Sequence, residues 1–81
     1  MTVKVLFFAR ARELAGLEAI TLEIPASITI RDLQRELTQC LPALADFLPR
    51  CQWAVQDTLA AEETVIPEGA TVAVLPPVSG G

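Results

Sequence analysis

The sequence has 81 residues, 52% of them hydrophobic, with a formal net charge of −4 and no histidine. This length allows one small domain, and the apolar fraction suffices for a core that needs neither a metal ion nor a disulfide. The missing histidine excludes the usual general base and metal ligand, and the acidic balance argues against nucleic acid or an anionic membrane as a partner.

The first part of the chain predicts a strand, a short helix and a second strand. Residues 3–8 are β-branched and aromatic, which favours a strand. Residues 10–15 contain good helix formers, and Gly16 offers a left-handed stop at the end of such a helix. Residues 20–24 alternate between apolar and polar side chains, which is typical of a half-buried strand, and Pro25 ends it.

A longer amphipathic helix is predicted to begin near Ile28. Thr29 lies three residues before Asp32, the spacing of a capping box, and Ile28 with Leu33 is placed to form a hydrophobic staple. Apolar side chains then follow helical spacing, with polar residues between them. Because Pro42 blocks further extension, we expect a helix of about 10–12 residues.

The second half of the chain predicts short strands separated by turns. Residues 43–49 form a loop or a helical turn. The pattern of residues 53–56 and 58–60 favours two strands around Asp57, in a turn whose type the sequence does not specify. A turn follows at 67–69. The last strand, at 71–75, must end at the two prolines that follow it, because proline cannot donate to a ladder.

Strands on both sides of one main helix predict an α+β mixed sheet of about four or five strands with the helix packed on one face. The side chains that should meet the helix are Val3, Val5, Phe7, Val72 and Val74. The opposite face carries Lys4 and Thr71, but also Leu6, Phe8, Ala73 and Leu75. Large apolar side chains on an open face indicate a partner site, although covering loops or ordinary surface apolar residues would also account for them.

The cysteines and the start of the chain both predict a cytoplasmic protein. Cys40 and Cys51 match no zinc spacing, so we expect no metal site and two reduced, mostly buried thiols. The apolar run near the start is too short for a signal peptide, and no stretch approaches a membrane span.

Other polar and aromatic residues allow more than one interpretation. Arg10 and Arg12 suit an acidic or phosphate-bearing partner and, equally well, an ordinary helix surface. Glu62 and Glu63 are expected on a solvated face, and Trp53 in the core.

The end of the sequence is its most specific motif: Pro76, Pro77, Val78, Ser79, Gly80 and Gly81. Prolines favour an extended exit from the domain, and paired glycines make a narrow tip that can enter a channel. The terminal carboxylate could then be presented to the active site of another protein. Because the sequence has no phosphate-binding loop, ATP-dependent activation of that carboxylate would have to occur in trans. A functionless tail or an artificial addition is the alternative.

Residues 7–9, 12–14 and Gly16, together with residues 68–81, resemble the small, sulfur-carrying subunits of molybdopterin synthase, and the resemblance covers nearly the whole chain. It implies a ubiquitin-like β-grasp domain at residues 1–75, with the first and last strands parallel and adjacent at the sheet centre. An extended tail at 76–81 would follow.

The resemblance also implies a mechanism in which the chain binds no cofactor itself. An E1-like enzyme would adenylate the Gly81 carboxylate with ATP, and a sulfur donor would convert it to a thiocarboxylate. The tail would enter the large catalytic subunit of a heterotetrameric synthase, where its sulfur attacks cyclic pyranopterin monophosphate.

By the same resemblance, Phe8, Leu59 and Leu75 would form the apolar contact with both partners, and Gly80 would enter the channel with Gly81. The remaining tail residues expected to bind the partner are Pro76, Pro77, Val78 and Ser79. Leu75 stands where an aromatic residue is common, and Gln56-Asp57 where asparagine is common. The alternatives are a sulfur carrier for another product such as thiamine thiazole, a ubiquitin-like protein modifier, or an interaction domain with an inert tail.

Overall fold

A mixed five-stranded sheet dominates the computed structural model, which describes residues 1–77 of the chain. Its strands are β1 (Thr2–Phe7), β2 (Ala19–Glu23), β3 (Gln52–Val55), β4 (Thr58–Ala60) and β5 (Thr71–Leu75). The helices of the described part are α1 (Ala9–Ala15) and α2 (Ile30–Cys40), and two 3₁₀ turns cover Pro42–Leu44 and Leu48–Arg50.

The strand order is β2-β1-β5-β3-β4, in which β1 and β5 pair in parallel and every other pair is antiparallel. The first and last strands of the described part therefore lie side by side at the centre of the sheet. The predicted α+β class and this central parallel pair are confirmed.

The core lies between one face of the sheet and α2. Strand periodicity places alternate residues of β1 and β5 on this face, and helical periodicity does the same for α2. The fully or almost fully buried side chains that meet here include Val3, Val5, Phe7, Val72, Val74, Ile30, Leu33 and Leu37. Trp53 is also buried, as its sequence context predicted.

Helix α2 begins where the capping box predicted. The Asp32 amide donates to Thr29 Oγ1 at 3.3 Å, and the Thr29 amide donates to Asp32 Oδ2 at 3.1 Å. The Thr29 hydroxyl also donates to Asp32 Oδ2 at 3.0 Å. The hydrogen bonds that the Thr29 amide and hydroxyl donate hold the pKa of the Asp32 carboxyl below its ordinary value. At the end of α1, Gly16 adopts the left-handed conformation with φ of 73°, also as predicted.

Strands β1, β2 and β3 each lie one residue earlier in the chain than the sequence predicts. β1 ends at Phe7, because Phe8 is the N-cap of α1. β3 begins at Gln52 and ends at Val55, because Gln56 and Asp57 form the turn, with φ of 48° and 68°. Residues 43–49, predicted as a loop or a helical turn, fall within the two 3₁₀ turns and the turn between them.

The prediction of mostly buried thiols is wrong. Cys40 is exposed and Cys51 is half-buried, and both are free. Cys40 is the last residue of α2, where the buried stripe has moved on to Leu41, which packs against the core. Burial raises the pKa of the Cys51 thiol, and the nearby Arg50 guanidinium opposes that effect.

Within residues 1–77, no helix is long and apolar enough to cross a membrane.

Candidate functional site

The open face of the sheet carries a continuous line of apolar side chains, one from each strand. Strand pairing places Ala19 of β2 opposite Leu6 of β1, and Leu6 opposite Ala73 of β5. Ala73 in turn lies opposite Ala54 of β3, and Ala54 opposite Leu59 of β4. We call these five residues the apolar row.

The apolar row has a polar border on one side. One step back along the strands, Lys4 lies between Thr21 of β2 and Thr71 of β5. Side chains two residues apart on a strand share a face, so Lys4 is the direct neighbour of Leu6 on the open face. On this side the apolar row therefore ends at polar residues.

On the opposite side, the row continues towards the end of β5. Phe7 and Val74 are the last parallel pair, and the residues that follow them, Phe8 and Leu75, come at the same end of the central strands. Phe8 is 44% exposed, and Leu75 is half-buried. The structure thus brings both predicted contact residues to the point where the chain leaves the sheet.

The third predicted contact residue, Leu59, lies at the far end of the apolar row on the edge strand β4. Its side chain is 64% exposed, the largest exposure among the described large hydrophobic residues. Further along the chain, Pro76 is half-buried and Pro77 is exposed. The other predicted tail positions, Val78, Ser79, Gly80 and Gly81, lie outside the described residues.

Sequence reasoning identified Leu6 and Ala73 on the open face but did not single out Ala19 or Ala54. Both are small residues whose importance depends on their cross-strand neighbours. Ala54 is only 8% exposed although it belongs to the open face. Pairing register, which a single strand does not reveal, was the missing information.

The arginines of the first helix favour the helix-surface interpretation. Arg10 approaches Glu13 at 3.7 Å, and Arg12 approaches Glu18 at 2.8 Å. All four side chains are more than half exposed, so these pairs contribute little stability. Each of the two guanidinium groups thus lies beside a carboxylate of the same chain.

The predicted solvated carboxylates are exposed, and one of them links two elements. The Arg31 guanidinium donates to Glu62 at 2.7 Å, and this hydrogen bond raises the pKa of Arg31. Glu63 lies farther from the same guanidinium, at 3.7 Å. Among residues 1–77, no group of three cysteine, aspartate or glutamate side chains could hold a metal ion.

A mixed sheet with parallel central strands, a helix across one face and an apolar row on the other defines a ubiquitin-like β-grasp protein. The ThiS family model matches residues 5–81, and the chain belongs to this family. The chain is 33% identical over 79 residues to the molybdopterin synthase sulfur carrier subunit of Arabidopsis thaliana, a match that covers 98% of this chain and 82% of that protein.

Solved structures share the fold over nearly the whole chain. A Pyrococcus furiosus protein described as a candidate molybdopterin converting factor, subunit 1, is 28% identical with a TM-score of 0.87, covering 96% of this chain and 99% of the other. In a Helicobacter pylori complex of subunits 1 and 2 of molybdopterin-converting factor, the similar chain is 28% identical with a TM-score of 0.70, and both chains are fully covered. The small archaeal modifier protein 1 of Methanosarcina acetivorans is 26% identical with a TM-score of 0.83, covering 99% and 96%.

Proposed function

We propose that this chain is the sulfur carrier subunit of a molybdopterin synthase. The observation that carries the proposal is its relation, over nearly its full length, to the Arabidopsis subunit of that name. The chain would work in the cytoplasm as one subunit of the enzyme, with the catalytic acid and base groups supplied by the large subunit.

The reacting group in this proposal is the carboxylate of Gly81. A carboxylate resists nucleophiles, so an E1-like enzyme first uses ATP to form the acyl adenylate, with release of pyrophosphate. A sulfur donor then displaces AMP and leaves a thiocarboxylate. This sulfur attacks cyclic pyranopterin monophosphate, and two successive carriers supply both sulfurs of the dithiolene.

The apolar row, with Phe8 and Leu75 beside it, is the docking surface for the large subunit and for the E1-like enzyme in this proposal. Its support is the location of the row on the open face, next to the end of β5. The Helicobacter complex of subunits 1 and 2 supports a large subunit as the partner, and we propose a heterotetramer. Residues 76–81 would then reach into the partner, and ATP would be bound by the activating enzyme alone.

The proposal predicts conversion of the C-terminus to a thiocarboxylate. Incubation with the activating enzyme, ATP and a sulfur donor should change the intact mass by the replacement of one oxygen with sulfur. A chain without Gly81 should unfold at the same temperature as the full chain but fail to gain sulfur or to form molybdopterin. Molybdopterin production by the shortened chain would contradict the proposed mechanism.

The docking surface has a test of its own with a matched control. Leu59→Asp places a charge on the apolar row, and Val65→Asp places the same charge on another exposed hydrophobic residue, 54% exposed and outside the row. We expect Leu59→Asp to weaken binding to the large subunit at least tenfold in isothermal titration, since a desolvated charge at an apolar contact costs more than 1.4 kcal/mol. Equal effects of the two substitutions would exclude the row as the docking surface.

A ubiquitin-like protein modifier is the second candidate function, favoured by the similarity to the Methanosarcina modifier protein. In that case the activated Gly81 would be joined to lysines of other proteins. Covalent conjugates in cell extract supplied with ATP, without a thiocarboxylate form, would favour the modifier. A thiocarboxylate that serves another product, such as thiamine thiazole, would retain the carrier chemistry and change only the acceptor.

A further inference from the structure

Lys4 is the single lysine of the sequence, and the other five basic residues are arginines. Lys4 lies on the open face between Thr21 and Thr71 and is exposed to solvent. No carboxylate of the described residues lies within ion-pair distance of it, whereas Arg10, Arg12, Arg31 and Arg35 each approach one. Within residues 1–77 the Lys4 amine therefore has no carboxylate partner, and it lies on the open face of the sheet.

The distinction between lysine and arginine matters for a protein whose carboxyl end is activated. A guanidinium stays protonated in proteins and does not attack acyl groups, but a lysine amine becomes a nucleophile once it loses a proton. An acyl adenylate reacts with such an amine to form a stable amide. A carrier that bears activated carboxylates is thus exposed to amide formation at its lysines and at its α-amine. In this chain the Met1 α-ammonium donates to the Ile24 carbonyl at 2.6 Å, which leaves Lys4 as the side-chain amine open to acylation.

We propose that Lys4 is the acceptor site at which one activated copy of this chain acylates another, and that a partner docked on the apolar row covers this site. The inference rests on the proposed adenylation of Gly81. The unprotonated Nζ attacks the Gly81 carbonyl carbon and a C–N bond forms. The bond from that carbon to the adenylate oxygen breaks, AMP departs with the electron pair, and the nitrogen releases its proton to solvent.

The shielding follows from the distance between Lys4 and the row. Lys4 and Leu6 are two residues apart on β1, which places their Cα atoms about 7 Å apart on the same face. A protein that seats on Leu6 and Ala73 must therefore extend over Lys4 or exclude other chains from it. Free carriers are open to Lys4 acylation, and docked carriers are not.

The test is incubation with the activating enzyme and ATP in the absence of a sulfur donor, followed by intact mass and peptide sequencing. We expect a dimer joined through Gly81 and Lys4 that survives dithiothreitol, because an amide resists thiols and a thioester at the exposed Cys40 does not. Lys4→Arg keeps the charge and should abolish the dimer. ATP–pyrophosphate exchange in the same samples reports adenylation independently.

Dimer formation and ATP–pyrophosphate exchange test the Lys4 inference and the proposed function separately. Exchange without a dimer, a dimer that persists in Lys4→Arg, or a dimer cleaved by dithiothreitol overturns the Lys4 inference and leaves the proposed function intact. Absence of ATP–pyrophosphate exchange contradicts the proposed function. It also contradicts the Lys4 inference, because that inference requires adenylation of Gly81.

A relocated lysine tests the shielding. The double variant Lys4→Arg with Arg35→Lys carries its single lysine on the outer side of α2, where the Arg35 side chain is 70% exposed. Acetylation by a limiting N-hydroxysuccinimide ester should drop several-fold at Lys4 when the large subunit is added, and should stay unchanged at the relocated lysine. Equal protection at both positions, or none at Lys4, would contradict a docked partner over this site.

Discussion

At the residue scale, the turn between β3 and β4 holds two of the four non-glycine residues with positive φ in the described part of the chain. Gln56 and Asp57 both have positive φ, a combination that suits the tight two-residue hairpin but is normally supplied by asparagine and glycine. The turn sets the pairing of β4 with β3 and therefore the position of Leu59 on the open face. The chain thus maintains part of its candidate docking surface with residues that are not optimal for it.

Asp57→Gly should therefore stabilise the protein. Glycine adopts a φ of 68° without the clash of a Cβ atom, and we expect a gain of about 0.5–1 kcal/mol in the free energy of unfolding by urea denaturation. Asp46→Gly is the matched control, because Asp46 is an exposed turn residue outside the positive-φ set of the described chain. There glycine only adds freedom to the unfolded chain, so stability should fall or stay level. A loss at Asp57 would show that its side chain contributes more than the strain costs.

At the element scale, α2 shows how local signals and a distant segment together define one helix end. The capping box satisfies the first amides locally. The amides of Ile30 and Arg31 donate to the carbonyl oxygens of Thr64 and Glu62, each at 3.0 Å. The segment that follows β4 therefore completes the N-terminus of α2, and the Arg31–Glu62 pair lies beside this junction.

The capping carboxylate makes the stability of α2 depend on pH. Because the folded-state pKa of Asp32 lies below its ordinary value of 3.8, the unfolded chain binds the proton more tightly. The contribution of the Asp32 carboxylate to the free energy of unfolding is fully present at pH values above the ordinary pKa. It is lost as the pH falls through the lowered pKa of the folded state. Urea denaturation should show wild type more stable than Asp32→Ala at neutral pH, with the difference shrinking below the ordinary value. Asp46→Ala is the control and should show no such dependence on pH. A difference in free energy of unfolding between wild type and Asp32→Ala that persists in acid would contradict this role of the carboxylate.

The contrast between α2 and the β3–β4 hairpin explains which elements the sequence could predict. The helix was predicted in full because Thr29, Asp32 and the apolar spacing are signals within a few residues of each other. The type of the hairpin turn could not be predicted, because its two left-handed residues are glutamine and aspartate and not the asparagine and glycine that signal such a turn. Ala54 could not be placed on the candidate surface, because its role depends on register with two other strands.

At the scale of the whole molecule, stability rests on one layer of side chains between the sheet and α2. Small domains have a free energy of unfolding near the lower end of the usual 5–15 kcal/mol. The stabilisation gained by burying one leucine side chain is therefore a large share of the total free energy of unfolding. The open face adds little to this core, since the described large hydrophobic residues outside it are half-buried or exposed.

Leu37→Ala should cost about 2–5 kcal/mol, because the site is fully enclosed and the cavity cannot collapse completely. Leu17→Ala is the matched control. Its side chain is 41% exposed, so we expect a change within about 0.5 kcal/mol. Urea denaturation of both variants measures the difference, and similar losses would contradict a core confined to the helix-covered face.

The position of β5 has a mechanical consequence. Pro76 and Pro77 continue directly from a strand that is hydrogen-bonded on both sides, to β1 and to β3. A pull on this end of the chain runs along β5, across the direction of its ladder bonds, and loads both ladders at once. An edge strand under the same pull would hold by one ladder only. A force on this end of the described chain must therefore shear two ladders together and cannot unzip the sheet one hydrogen bond at a time.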